Sequence, residues 1–201
     1  MGKREGRIVK MHTLNAIFPY VMRTRTESLV YYSTALDVEN LLAYIEKKKA
    51  EGQELKFFPL FIAAIVKLLK ERPHLNRFIS GRRLYQRNHI KITFIAKKAA
   101  SDDGEETNVS LTFDENVTFQ EVIDKLRSNI QEAKSESAQK DDDRMIAAVT
   151  KLPRCLLRML FAVMRWMDFY FDMPRVFADV DPMRCSVYVA NLGSIGIEAP
   201  F

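Results

Sequence analysis

The sequence predicts an α/β protein, and three observations carry that reading. The segment Phe57 to Lys70 is apolar nearly all round, interrupted only by Lys67 and Lys70, as a central helix would be. Two later runs, Ile90/Ile92/Phe94 and Val109/Leu111/Phe113, alternate apolar with polar residues, the period-two pattern of strands with one buried face. The closing run from Ser186 to Asn191 reads as a further buried strand entering a glycine-bounded turn.

Each element follows in order. Asp37-Val-Glu-Asn40 offers a helix N-cap, with Val38, Leu41, Leu42 and Ile45 after it at helical spacing. A polar exit with Gly52 precedes the apolar helix, and Arg72-Pro73 ends it, because proline disfavours helical geometry in the residue before it. Phe78-Ile79 and Leu84-Tyr85 predict a short hairpin around Ser80-Gly81. Ser101-Asp-Asp-Gly104 is a turn between the two alternating strands, which makes them antiparallel. Thr118-x-x-Glu121 is a capping box, and Phe119, Val122, Ile123, Leu126 and Ile130 form the apolar stripe behind it. Glu132 to Asp143 predicts an exposed connection.

Arg154 to Phe171 is rich in Met and aromatic residues, with Arg158 and Arg165 on one helical face. Two readings stay open: a helix packed over the sheet with its arginines at the rim, or a membrane-surface or partner-binding helix. The thin polar face favours the first. Met173-Pro174 and Asp181-Pro182 punctuate the approach to the last strand.

Composition bounds the function. With 201 residues, 47% of them hydrophobic, the chain suits one large domain with a full core. Cys155 and Cys185 show no metal-ligand spacing and read as reduced packing residues of a cytosolic protein. Residues 1–26 hold six bases against Glu5 alone, which accounts for the whole net charge of +5. The surplus thus belongs to an N-terminal arm, expected to be solvated, and no basic face with stacking aromatics points to nucleic acid. No secretory signal and no bilayer-length apolar run is evident, so a soluble, cytoplasmic protein is expected, with membrane association disfavoured.

Elimination leaves little chemistry. His12, His74 and His89 have no ligand partners at metal spacing, so no metal is expected, and H-x-x-x-D occurs nowhere. There is no P-loop, dinucleotide fingerprint or serine elbow. Asp102 and Asp103 are adjacent carboxylates in a glycine turn and read as solvated.

From about Asp37 onward, however, the chain resembles the acyltransferase catalytic domain of 2-oxoacid dehydrogenase complexes. The likeness rests on Arg72-Pro-His-Leu-Asn76, Lys91-Ile-Thr-Phe-Ile95, Asp102-Asp-Gly104 with its return strand, and the Thr118 helix. Its most specific part is Val189-Ala-Asn-Leu-Gly-Ser-Ile-Gly196. The chain is most similar to a stand-alone bacterial subgroup, without a lipoyl-type domain or a long Ala/Pro linker ahead of the domain. The resemblance implies a two-layer sandwich of the chloramphenicol acetyltransferase type, a mixed β-sheet covered by helices. It divides the chain into a basic arm, residues 1–30, and an incomplete acyltransferase-like domain, residues 31–201.

The chemistry implied is acyl transfer from a coenzyme A thioester to a thiol, hydroxyl or amine acceptor. In it a histidine deprotonates the acceptor, and placed donors stabilise the tetrahedral oxyanion. The family builds its substrate passage between the subunits of a trimer, so a homotrimer is expected of a complete chain. Acyl-CoA and a small acceptor would be its partners, coenzyme A its only cofactor-like group. The family's H-x-x-x-D-G segment lies beyond the Ser186–Asn191 strand and is not found here, and the family's oxyanion-stabilising serine corresponds to Ala190. The catalytic residues are accordingly unknown, and the passage candidates are Ala190, Asn191 and Ser194. Ser194 supplies a replacement hydroxyl only if its turn folds back toward the passage; otherwise it caps its own backbone. The expectation is an acyltransferase relative that is inactive as this chain. The alternatives are a non-catalytic assembly or ligand-binding subunit, which Ala190 favours, and a peripheral membrane protein.

Overall fold

A computed structural model describes residues 3–13, 15–22, 24–53, 55–97, 106–134, 151–174, 178 and 181–190. Strands β4 (Ile90–Lys97) and β5 (Glu106–Phe113) pair antiparallel, in register from Ile90 opposite Phe113 to Lys97 opposite Glu106. Strand β6 (Val187–Val189) joins the other side of β4 in parallel, giving a mixed sheet in the order β5-β4-β6. The predicted turn at Ser101–Gly104 lies outside the described residues.

The two alternating runs do what their period demands. Ile90, Ile92, Phe94, Val109, Leu111 and Phe113 are all buried and meet helices α3 (Phe57–Glu71) and α4 (Phe119–Lys134) in one core. Each such apolar side chain contributes about 1.5–3 kcal/mol by leaving water. This is the helix-on-mixed-sheet, two-layer α/β architecture of the chloramphenicol acetyltransferase type. Helix α4 opens with the capping box read from sequence: the Thr118 amide donates to Glu121 Oε2 at 2.7 Å, and the Glu121 amide to Thr118 Oγ1 at 3.4 Å. Val122, Ile123 and Leu126 are buried, whereas Phe119, at the start of the stripe, is exposed.

Three expectations are corrected here. Helix α3 is not enclosed: Ile62, Ala63, Val66 and Leu69 enter the core, but Phe57, Phe61 and Leu68 face out. It lies on the outside of the sheet, so among the described residues one flank stays open. Thr93, assigned to the polar face of β4, is fully buried. It stands on a central strand with Ser110 and Tyr188 directly opposite on either side, and a small side chain there has no route to solvent. Strand β6 is less buried than a core strand, with Val187 and Val189 half-buried and Tyr188 exposed, because it borders the described sheet.

A second sheet holds β1 (Gly6–Ile8), β2 (Arg77–Ser80) and β3 (Arg83–Arg87) in the order β1-β3-β2. The hairpin turns on Gly81 and Arg82, one residue later than the sequence suggested, both at positive φ (54° and 60°). Two left-handed residues match the twist of a two-residue hairpin. β1 reaches β3 through Gly6, where a Cβ would stand 2.5 Å from the Gln86 carbonyl oxygen.

The remaining helices are α1 (Phe18–Val21), α2 (Glu39–Ala50) and α5 (Arg154–Tyr170). Asp37 Oδ1 accepts from the Glu39 amide at 2.9 Å, so it caps from just outside the α2 start. Neither α2 nor α5 buries a residue. Arg154–Tyr170 meets the β1-β3-β2 sheet at its C-terminal end. There Ser80 Oγ donates to the Asp168 carbonyl at 2.9 Å, and the Lys3 ammonium donates to the carbonyls of Asp168 and Phe171. Lys3 is itself buried, so the solvated-arm expectation fails at that residue. Cys155 and Cys185 are both free thiols; Cys155 is exposed, on a helix without a buried face, and is not a packing residue.

Candidate functional site

Helices α3 and α4 fill one face of the β5-β4-β6 sheet, which leaves the opposite face to be defined by the other half of each strand. That face carries a polar row. Thr93 Oγ1 and Ser110 Oγ share a hydrogen bond at 2.8 Å across β4 and β5. Tyr188 Oη, from β6, donates to Asn108 Oδ1 of β5 at 3.0 Å, reaching over β4. The bond spans the three strands and fixes the ring of Tyr188 against the sheet. Successive residues of a strand alternate faces, so Tyr188 stands on this polar side while Val187 and Val189 turn to the core.

Ala190 is exposed immediately past the end of β6. Asn191 and Ser194 lie outside the described residues. The row consists of hydroxyl and amide groups, of which the exposed ones, Asn108, Ser110 and Tyr188, can orient a ligand's polar atoms, but it holds no group that exchanges a proton near neutral pH.

The histidines are elsewhere. His12 and His74 are exposed. His89 Nδ1 lies 3.0 Å from Asp114 Oδ1, a pairing that sequence spacing does not disclose because Asp114 follows the return strand. Both side chains are more than half exposed, at 57% and 80%. Val189 is level with Phe94, so Ala190 stands near the far end of β4 from His89. At a strand rise of about 3.3 Å per residue the separation is on the order of 20 Å, and His89 cannot serve the row at Ala190.

A charged cluster that sequence reasoning missed lies on the approach to β6. Arg184 Nε meets Glu5 Oε1 at 3.2 Å and its Nη1 meets Asp168 Oδ1 at 2.7 Å. Burial draws the Arg184 guanidinium down, but the bonds to Asp168 and Glu5 outweigh it and leave it above its ordinary value. Arg87, 3.4 Å from the same Glu5, is instead held below its ordinary value by burial, with Glu5 only partly compensating. Nothing in the sequence joins Glu5 to Arg184, and no sequence signal marks the cluster. Among the described residues, no group of three or more His, Cys, Asp and Glu could hold a metal. Among them, too, no helix is long and apolar enough to cross a membrane.

Known proteins resemble this chain in sequence and in fold. A family described as 2-oxoacid dehydrogenases acyltransferase (catalytic domain) matches residues 9–144. The lipoamide acyltransferase component of the branched-chain alpha-keto acid dehydrogenase complex of Bacillus subtilis (strain 168) is 33% identical over 84 residues. That stretch is 39% of this chain and 20% of the relative, so the match spans about a fifth of the curated protein's length. A solved structure, a probable dihydrolipoamide acetyltransferase from Listeria monocytogenes 4b F2365, superposes with a TM-score of 0.50 at 16% identity. The superposition covers 97% of this chain and 68% of that one, and it speaks to the fold.

Proposed function

Since the chain belongs to the 2-oxoacid dehydrogenase acyltransferase catalytic-domain family, we propose that it binds an acyl-CoA along the polar face of the β5-β4-β6 sheet. What supports this reading is the row of Tyr188, Asn108, Thr93 and Ser110, with Ala190, which resembles the position of the family's oxyanion serine, next along the chain beyond β6. The reaction would move the acyl group from the thioester to a thiol, with hydroxyl and amine acceptors as variants. Dihydrolipoamide is the acceptor to try first, given the lipoamide acyltransferase relative.

Residues 1–30 would act as an arm and residues 31–201 as the acyltransferase-like domain, with Ala190, Asn191 and Ser194 lining the passage. A homotrimer is the proposed assembly, and the cytoplasm the proposed compartment.

The same placement argues against turnover. Alanine offers no hydrogen bond to a developing oxyanion, a loss that costs about 10²–10³ in rate where one donor is removed. A non-catalytic ligand-binding or assembly role is therefore the second reading, and Ala190 is the observation that favours it.

The test is to titrate coenzyme A by calorimetry and to follow, by chromatography, the release of free coenzyme A from acetyl-CoA with dihydrolipoamide. Saturable coenzyme A binding without release above the uncatalysed rate is expected. Fast release refutes the inactivity; absence of binding refutes the acyl-CoA reading itself.

A further inference from the structure

A cavity of about 480 Å³ opens between the α1 region and the β2-β3 hairpin, away from the helix-backed core. Three arginines line it, Arg25, Arg77 and Arg87, and among the described residues no carboxylate does. Its apolar wall includes Phe18, Phe78 and Leu84.

The arginines differ in how far they are committed. Arg87 is engaged twice, with Glu5 at 3.4 Å and with the Phe78 ring 4.5 Å from its Cζ. Arg77 meets only a neutral partner, its Nε donating to Gln86 Oε1 at 3.0 Å. Arg25 donates one Nη2 bond, to the Met183 carbonyl, at 3.3 Å. Each guanidinium carries five donors, so Arg25 and Arg77 keep most of theirs and, among the described residues, neither has a carboxylate. Positive charge, planar donor forks and an apolar wall in a cavity of ligand size form a receptor for an anion with an organic body.

We propose that this cavity binds a small organic phosphate, its phosphoryl group on Arg25 and Arg77 and its apolar part against Phe18, Phe78 and Leu84. Phosphate suits two such forks better than a halide, because it accepts bidentate hydrogen bonds at several oxygens. The proposal does not depend on the acyl-transfer reading.

The protein carries its own reporter. Cys185 lines this cavity, whereas Cys155 is exposed on α5 and serves as an internal control. The experiment measures iodoacetamide alkylation of each cysteine by peptide mass spectrometry, with phenyl phosphate, inorganic phosphate or benzyl alcohol added at constant ionic strength. At ten times its Kd, phenyl phosphate should slow Cys185 by about tenfold and leave Cys155 unchanged. Inorganic phosphate should need a higher concentration, and benzyl alcohol alone should protect little. Arg25→Gln with Arg77→Gln should abolish protection; should that double variant fail to fold, Arg25→Gln alone must raise the half-protecting concentration. Protection absent in the wild type, or undiminished in the variants, overturns the site. Equal potency of inorganic and phenyl phosphate overturns the organic half of the proposal.

Discussion

Arg184 Nη1 lies 2.7 Å from Asp168 Oδ1, joining the approach to β6 to the last turn of α5. Glu5 takes the other side of the same guanidinium at 3.2 Å, so three segments distant in sequence meet at one side chain. The arginine is mostly shielded from solvent, and hydrogen bonds to charged groups in such settings are worth about 1.5–3 kcal/mol. Arg184→Gln should lower the unfolding free energy by about 1–3 kcal/mol in urea titration. In a double-mutant cycle with Glu5→Gln, the two losses should fall short of additive by at least about 0.5 kcal/mol. Additive losses would mean that the contact contributes nothing.

The capping box at α4 makes a pH prediction. The Glu121 carboxyl is held below 4.5, chiefly by the Thr118 backbone N–H and then by the Thr118 hydroxyl. A carboxyl depressed on folding stabilises fully above its unfolded value, and that contribution disappears as pH falls through the folded one. Glu121→Gln should therefore lower Tm near neutral pH and flatten the decline below about pH 4.5. Thr118→Ala should cost about 1 kcal/mol at pH 7. Parallel acid limbs for wild type and Glu121→Gln would refute the assignment.

Leu126 is fully buried between α4 and the sheet. Leu126→Ala should cost about 2–5 kcal/mol, since truncation loses transfer energy and leaves a cavity. Leu68→Ala, on the open flank of α3, should cost well under half as much, with chemical denaturation comparing the two. Similar losses would show that the open flank is covered in solution.

Gly81 combines a left-handed φ of 54° with the Phe169 carbonyl oxygen of α5 standing where a Cβ would have to go. Gly81→Ala strains the turn and pushes on that carbonyl at once. Arg82→Gly, at a φ of 60°, relieves a side chain from the same strained region instead. Amide exchange along Arg165–Tyr170 should quicken most in the first variant, and in the second only by what is lost when the Arg82 guanidinium leaves the Phe169 ring 5.8 Å away. An unchanged rate in Gly81→Ala would sever the hairpin from the helix end.

The legible parts of this molecule are those whose cause is local. Ile92 and Phe94 announce their face by alternation, and Thr118 and Glu121 sit three apart because the helix start requires it. The parallel partner of β4 was visible only as a β-prone run, since pairing across more than ninety residues leaves no spacing to read. Thr93 was misread because burial of a polar side chain depends on what stands opposite, here Ser110 and Tyr188. The Glu5–Arg184–Asp168 cluster and the cavity at Arg25 and Arg77 come from chain crossings that no periodicity encodes. At the candidate site, Ala190 was singled out by its resemblance, whereas its companions Tyr188 and Asn108 needed the sheet register to be seen.

Trp166 is the chain's single tryptophan, standing on the unburied α5 with the rings of Tyr170 and Phe171 5.7 and 5.5 Å away. Its indole gives this protein an intrinsic fluorophore on the very surface whose covering is in question. Selective excitation should give the red-shifted emission of a wet indole. Any body that comes to rest on that helix, another copy included, would move the maximum toward the blue, turning a cuvette into an assay of assembly.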